Sequence, residues 1–151
     1  MTEYQRSKRP LVATDIVIEY NDGIKDGIIL ITRKNFPPGL ALPGGFAECG
    51  LNLGQNAQKE SREETGLEVV IKDSENPLLI LSDPDRDPRA HIISVAYAAK
   101  GYGILRAGDD AKTATLYSIN EIMGLLGKDN FAFPDHEKII MKYIQQKRER
   151  A

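Results

Sequence analysis

The sequence predicts an α/β protein, with a mixed β-sheet sandwiched between helices in an α/β/α arrangement. Three observations lead there. Runs rich in β-branched and other apolar residues recur at 11–20, 26–33, 67–73, 77–83, 91–101 and 113–118. A glutamate-rich segment at 52–66 interrupts them with helical end signals, and two more helical segments follow the last run. The resulting order of strands, helix, strands and two helices suits a sheet covered on both sides. No repeat, low-complexity tract or linker divides the chain, so residues 1–151 are expected to form a single domain.

The first two strand runs are joined by Asn21-Asp22-Gly23, Ile24, Lys25 and Asp26-Gly27, turn chemistry that predicts a β-hairpin. Residues 34–45 contain three prolines and three glycines, which argues against a regular element through most of that stretch. The next helix is expected to start at Asn52, a good N-cap, and to stop at Gly66, where a left-handed residue ends many helices. Ser118 stands three residues before Glu121, a capping-box spacing that predicts a short helix over 118–126. Ile139, Ile140, Tyr143 and Ile144 recur at helical spacing, so 134–150 reads as an amphipathic helix.

Composition narrows the function. Hydrophobic residues make up 41% and charged residues 28%, a globular balance. The formal net charge of -2 provides no global field for nucleic acid or an acidic membrane. An anionic ligand would need local groups or a bound cation. Cys49 is the only cysteine, which excludes an intrachain disulfide, and no apolar run approaches the ~18 residues of a membrane span. A cytoplasmic setting is expected, with no nucleic-acid or membrane partner.

The segment 52–66 carries the chemistry. At about 100° per residue, Glu60, Glu63 and Glu64 share an arc of roughly 100° on one helix face. Carboxylates so close repel one another, and two of them occupy the last turn, the unfavourable end of the helix dipole for an acid. A solvated face balanced by Lys59 and Arg62 is one reading. A divalent cation gripped by carboxylate oxygens is the other. Ahead of the helix, Gly44 and Gly45 allow the backbone to approach a ligand or metal closely.

These residues together resemble the Nudix box, G-x5-E-x7-R-E-U-x-E-E-x-G-U with U aliphatic. Gly45, Glu60, Glu63, Glu64, Gly66 and Leu67 match it. Leu51 replaces the first glutamate, Lys59 the arginine and Ser61 an aliphatic residue. Lys59 keeps the charge without the planar fork, and Ser61 is expected to weaken helix packing. The resemblance extends over most of the chain. Residues 39–50, 82–97, 107–111 and the run from Asp135 to Ile140 are similar to the ADP-ribose pyrophosphatase branch.

The resemblance implies a metal-dependent pyrophosphohydrolase acting on nucleoside diphosphates linked to another group, foremost ADP-ribose, with Mg²⁺ as cofactor and Mn²⁺ as an alternative. It implies Glu60 and Glu64 as metal ligands and Glu63 as a third ligand or a proton acceptor. The Gly45 carbonyl is a possible backbone ligand. Arg33, Arg86 and Arg89 are candidate substrate contacts, with ion pairs holding the loop as the other role open to Arg86 and Arg89. Phe36 offers an adenine stack or local packing, His91 and His136 read as structural, and an acid such as Asp109 or Asp110 is a candidate general base. A homodimer follows by analogy. A nucleotide-binding sensor and a hydrolase of damaged nucleoside triphosphates are the alternative readings.

Overall fold

The computed structural model describes residues 8–108 and 111–150. Strands β1 (Leu11–Asn21) and β2 (Asp26–Arg33) form the expected hairpin, closed by Asn21 and Asp22 side chains that accept backbone N–H groups of the turn. The two strands pair only beside that turn, from Glu19 opposite Ile28 to Asn21 opposite Asp26. Beyond it they splay apart, and the Pro/Gly-rich segment enters the fork. There β3 (Gly39–Ala41) pairs with Ile31–Arg33 of β2, and β4 (Gly44–Phe46) pairs with Ala13–Asp15 of β1. The stretch expected to be largely irregular thus contains two short strands. Their hydrogen bonds come from distant partners, which local propensity does not register.

The sheet grows outward from the fork. β7 (Ile92–Tyr102) runs parallel to β1, while β5 (Glu68–Ile71) and β6 (Leu79–Leu81) pair antiparallel with β7. β8 (Ala111–Tyr117) pairs antiparallel with β2. One parallel contact among antiparallel ones makes the sheet mixed, as expected. Side chains alternate between its faces. Ile16, Ile18, Ile29, Val95 and Tyr97 pack on the side of α1 (Leu53–Thr65). Val17, Ile28, Leu30 and Ala96 pack against Ile122 of α2 (Ile119–Leu125) and Ile139, Ile140, Tyr143 and Ile144 of α3 (His136–Glu149). The buried residues therefore form a layer on each face of the sheet.

Local chemistry sets the helix ends. Asn52 and Gln55 form a reciprocal capping box at α1, and Gly66 closes it at φ 73° with its N–H donating to the Arg62 carbonyl. Ser118 and Glu121 form a second box at α2. Asp135 precedes α3 but makes no side-chain cap, because its carboxylate serves Arg86 instead. Residues 104–108 reach the C-terminal end of α1. The Arg106 and Gly108 N–H groups donate to the Thr65 and Glu64 carbonyls at 2.9 and 3.0 Å. A Cβ on Gly108 would lie 1.4 Å from the Glu63 carbonyl oxygen, so this close crossing requires glycine. Among the described residues, no helix is long and apolar enough to cross a membrane.

Candidate active site

The fork and α1 together build a cleft of about 370 Å³, lined by Glu60, Glu64, Gly44, Phe46, Ile31, Arg33, Asn35, Phe36 and Arg89. Its volume falls in the range of small-molecule sites. One wall is acidic. Glu64 is buried, and its Oε1 accepts the Gly44 N–H at 3.0 Å. Burial, with repulsion from Glu60 and Asp15, pushes Glu64 up to about 8, against the pull of the Gly44 N–H and Arg33. Glu60 lies against Gly45, where a Cβ would come within 2.4 Å of the carboxyl carbon. The glycine turn is therefore shaped to the two acids it faces.

Glu63 takes another direction. Its carboxylate binds Lys59 at 2.6 Å, remains about half exposed (47%), and does not line the cleft. The helical arc that groups all three acids in the sequence resolves into a pair, Glu60 and Glu64, with Glu63 turned aside. Lys59 also binds Glu48 at 3.1 Å. Through Glu48 the lysine links α1 to the segment that follows β4, while its pair with Glu63 stays within α1. Ser61 is fully buried, with its hydroxyl donating to the Ala57 carbonyl at 2.8 Å. Bonding back onto its own helix satisfies the polar group in an apolar position.

The opposite wall is basic. Arg33 donates through Nε to the Pro37 carbonyl at 2.8 Å, and its guanidinium carbon lies 5.0 Å from the Phe133 ring centroid. Arg89 sits 5.3 Å from the same centroid and 5.2 Å from that of Phe46, held by a bidentate pair with buried Asp87. Desolvation and then repulsion by Arg89 lower the Arg33 pKa. Arg86 behaves differently. It forms a bidentate pair with Asp135 at 2.6 and 3.0 Å, donates to the Ile92 carbonyl at 3.1 Å, and has a side chain only 5% exposed. Of the two roles open to it, the structure places it in the one that ties the loop to the start of α3.

Phe36 projects from the rim with 64% of its surface exposed, so it is not packed among the neighbouring prolines. His91 touches the Ser82 carbonyl through Nε2 at 3.1 Å, away from the cleft lining. Asp109 and Asp110 lie outside the described residues.

Two further residues matter that the sequence reading did not single out as site groups. Asn56 is fully buried. Its amide donates to Thr14 Oγ1 at 2.9 Å and to the Gly45 carbonyl at 3.5 Å, while its oxygen accepts the Glu48 N–H at 3.1 Å. Asp15, beneath Gly44, accepts the Ser94 hydroxyl. Burial alone would raise its pKa, but His136, Ser94 and Arg86 outweigh burial and lower it. A buried asparagine facing a glycine turn was the available signal for the first. The second lies in a strand whose composition gives no hint of a site.

A protein with an acid pair on the end of a capped helix, a glycine turn against those acids and an arginine pair opposite has the makings of a phosphoanhydride site. The NUDIX domain family model matches residues 9–143, and the chain belongs to that family of hydrolases. It is 41% identical over 150 residues to the ADP-ribose pyrophosphatase of Methanocaldococcus jannaschii, a match spanning 97% of this chain and 80% of that one. Among solved structures, the NUDIX hydrolase of Nitrosomonas europaea superposes with a TM-score of 0.76 at 20% identity, covering 95% of this chain and 74% of that one. A bifunctional NMN adenylyltransferase/ADP ribose pyrophosphatase of Francisella tularensis, complexed with AMP and a Mn ion, gives 0.72 at 26% identity, covering 95% of this chain and 45% of that one.

Nudix hydrolases generally use divalent cations. The donor set fits such an ion. Among the described residues no third acid, histidine or cysteine joins Glu60 and Glu64 in one cluster. Two carboxylates nevertheless suit a cation such as Mg²⁺, which commonly takes one or two from the protein and completes its shell with water and substrate phosphate oxygens. A buried acid pushed up to about 8 is also a group that a neighbouring cation would stabilise in its charged form.

Proposed function

We propose that this protein hydrolyses ADP-ribose to AMP and ribose 5-phosphate, with Mg²⁺ held by Glu60 and Glu64 and with Mn²⁺ able to replace it. The single observation that carries the reading is the opposition of the two walls in one cleft: Glu60 and Glu64 face the space that Arg33 and Arg89 also border. A metal–diphosphate complex presents a cation and anionic oxygens together, which matches both walls. Held by Glu60 and Glu64, such a cation would supply charge neutralisation at the phosphate oxygens and a more acidic water, both of which favour attack on a phosphoanhydride.

The chain's own groups supply binding and orientation. Arg33 and Arg89 bind the diphosphate oxygens that face them. The exposed ring of Phe36 provides a face for the adenine. The Gly44 N–H holds Glu64 by one oxygen and fixes how the other is presented. Glu63, tied to Lys59, acts by keeping that lysine over the α1 surface rather than as a ligand.

The site is expected to work as one cytoplasmic domain in a homodimer. The apolar groove of about 770 Å³ between Leu79 of β6 and Met141 and Ile144 of α3 supports the dimer reading. Sedimentation of the purified chain tests it.

A substrate panel tests the activity. ADP-ribose, other ADP-linked compounds and nucleoside triphosphates are incubated with and without Mg²⁺ or Mn²⁺, and products are separated by chromatography. The expected result is AMP from ADP-ribose, only with metal. Tight ADP-ribose binding without turnover would replace the enzyme by a sensor, and preferred triphosphate cleavage would replace the substrate.

A further inference from the structure

Where the chain enters β4, Leu42, Pro43 and Gly44 make successive contacts with three different elements, in addition to the pairing of Gly44 and Gly45 with β1. His136 of α3 accepts the Leu42 N–H at Nδ1, 3.1 Å away. The Pro43 carbonyl accepts the Ile16 N–H of β1 at 2.9 Å. The Gly44 N–H then donates to Glu64 of α1. Of these three, the first alone uses a side chain outside the acid pair, as Asn56 does further on at the Gly45 carbonyl. The His136 side chain is buried to 1% exposure.

His136 is itself fixed. Its ring packs against Phe133 with centroids 5.0 Å apart, and its Nε2 lies 3.6 Å from Asp15 Oδ2. Its neighbour Asp135 is clamped by Arg86, which in turn bonds the start of β7. Since Nδ1 accepts from Leu42, the ring proton belongs on Nε2, facing Asp15. Asp15 and His136 border a small polar cavity of about 40 Å³ that Gly44, Gly45 and the side chains of Arg86 and Phe133 also line.

We propose that His136 is a positioning residue for the cation site: by accepting the Leu42 N–H it fixes where the chain enters β4 at Gly44, and hence the angle at which Glu64 and Glu60 are presented. The inference rests on the reading of Glu60 and Glu64 as cation ligands. It extends past that reading because His136 touches neither the acids nor the cleft. Losses of about 10- to 100-fold in metal affinity are usual when a group that orients a ligand is removed.

Two substitutions separate the two ring nitrogens. H136N puts an oxygen where Nδ1 stood, keeping an acceptor for Leu42 and losing the contact with Asp15. H136Q reaches the Nε2 position, keeping a donor toward Asp15 and losing the acceptor. Both lose the ring contact with Phe133, which cancels in the comparison.

Mn²⁺ binding without nucleotide, followed by the free-ion electron paramagnetic resonance signal, is the readout for the wild-type chain, E64Q and both variants. The expected result is binding weakened by about tenfold or more in H136Q and by less than about threefold in H136N. Equal binding by E64Q and wild type would remove the cation reading and this inference with it. Loss in E64Q, combined with equal affinities in the two His136 variants or a greater loss in H136N, would overturn this inference alone. A variant-free arm covers a failure of H136Q to fold: long-range ¹⁵N spectra of the wild-type chain should show Nδ1 unprotonated, and a protonated Nδ1 would refute the proposal.

Discussion

On the acid side of the cleft, Glu60 and Glu64 stand against a glycine turn, and one of them is pushed up to about 8. On the basic side, Arg33 and Arg89 crowd a shared phenylalanine ring, and the charge of one disfavours that of the other. Each wall is a like-charged pair in a partly desolvated setting. The walls differ in how their chain supports them. The acids face backbone that at Gly44 leaves no room for a Cβ, which would lie 2.3 Å from the Thr14 carbonyl oxygen, whereas the arginines rest on side-chain and carbonyl partners, Asp87 and Pro37. Both walls are thus fixed in place, the acid wall by close backbone approach and the basic wall by ion pairing and ring contacts. The proposed function assigns the chemistry to the acid wall and capture to the basic one.

Substitutions in each half should produce different kinetic signatures. E64Q is expected to lower kcat by on the order of 10²- to 10³-fold, the range for losing a group that stabilises transition-state charge. ADP-ribose binding to E64Q, measured calorimetrically without metal, should survive. R33A and R89A should do the reverse, raising KM by about 10- to 100-fold, as expected for a lost charged hydrogen bond, with kcat within a few-fold. If R89A instead abolished kcat with KM unchanged, the division between the walls would be wrong.

Protons offer a finer probe. The folded chain holds the Glu64 proton up to about pH 8, whereas an ordinary glutamate releases it around 4.5. Metal-free stability should fall as pH rises from 4.5 towards 8 and level off above that, because the unfolded chain binds fewer protons through this window. Metal competes with the same proton. Apparent Mg²⁺ affinity should therefore strengthen by about tenfold per pH unit below 8 and then flatten. Thermal melts with and without Mg²⁺ follow both trends, and E64Q should lose both. The smallest effect is expected at Lys59. Its bridge to Glu48 and Glu63 is exposed, so K59A should change kcat/KM by less than about fivefold in a metal-saturated assay.

Much of the frame was legible because its causes are local. Asn52 and Gly66 mark the ends of α1 by chemistry contained within a few residues, and Ser118 with Glu121 does the same for α2. The spacing of Glu60 and Glu64 is likewise a property of one helix. What stayed hidden depends on partners far along the chain. Arg86 and Arg89 look alike in the loop sequence, yet Arg86 is claimed by Asp135, 49 residues away, while Arg89 keeps to Asp87, two residues away, and faces the cleft. β3 and β4 exist because the hairpin opens to receive them, an event no propensity of residues 39–46 announces. His136 read as structural, and its contact with Leu42 spans 94 positions. Glu63 was the instructive case: the helical wheel groups it with the other acids, but Lys59 one turn earlier draws it away.

The forked hairpin has one more consequence. The residues wedged into it form a floor locked from both flanks, whereas residues 34–38, which carry Asn35 and Phe36 over the cleft, span only from the tip of β2 to the start of β3. Lengthening or shortening that roof leaves the wedge seated, so a change in what the enzyme accepts needs no change in how it cuts.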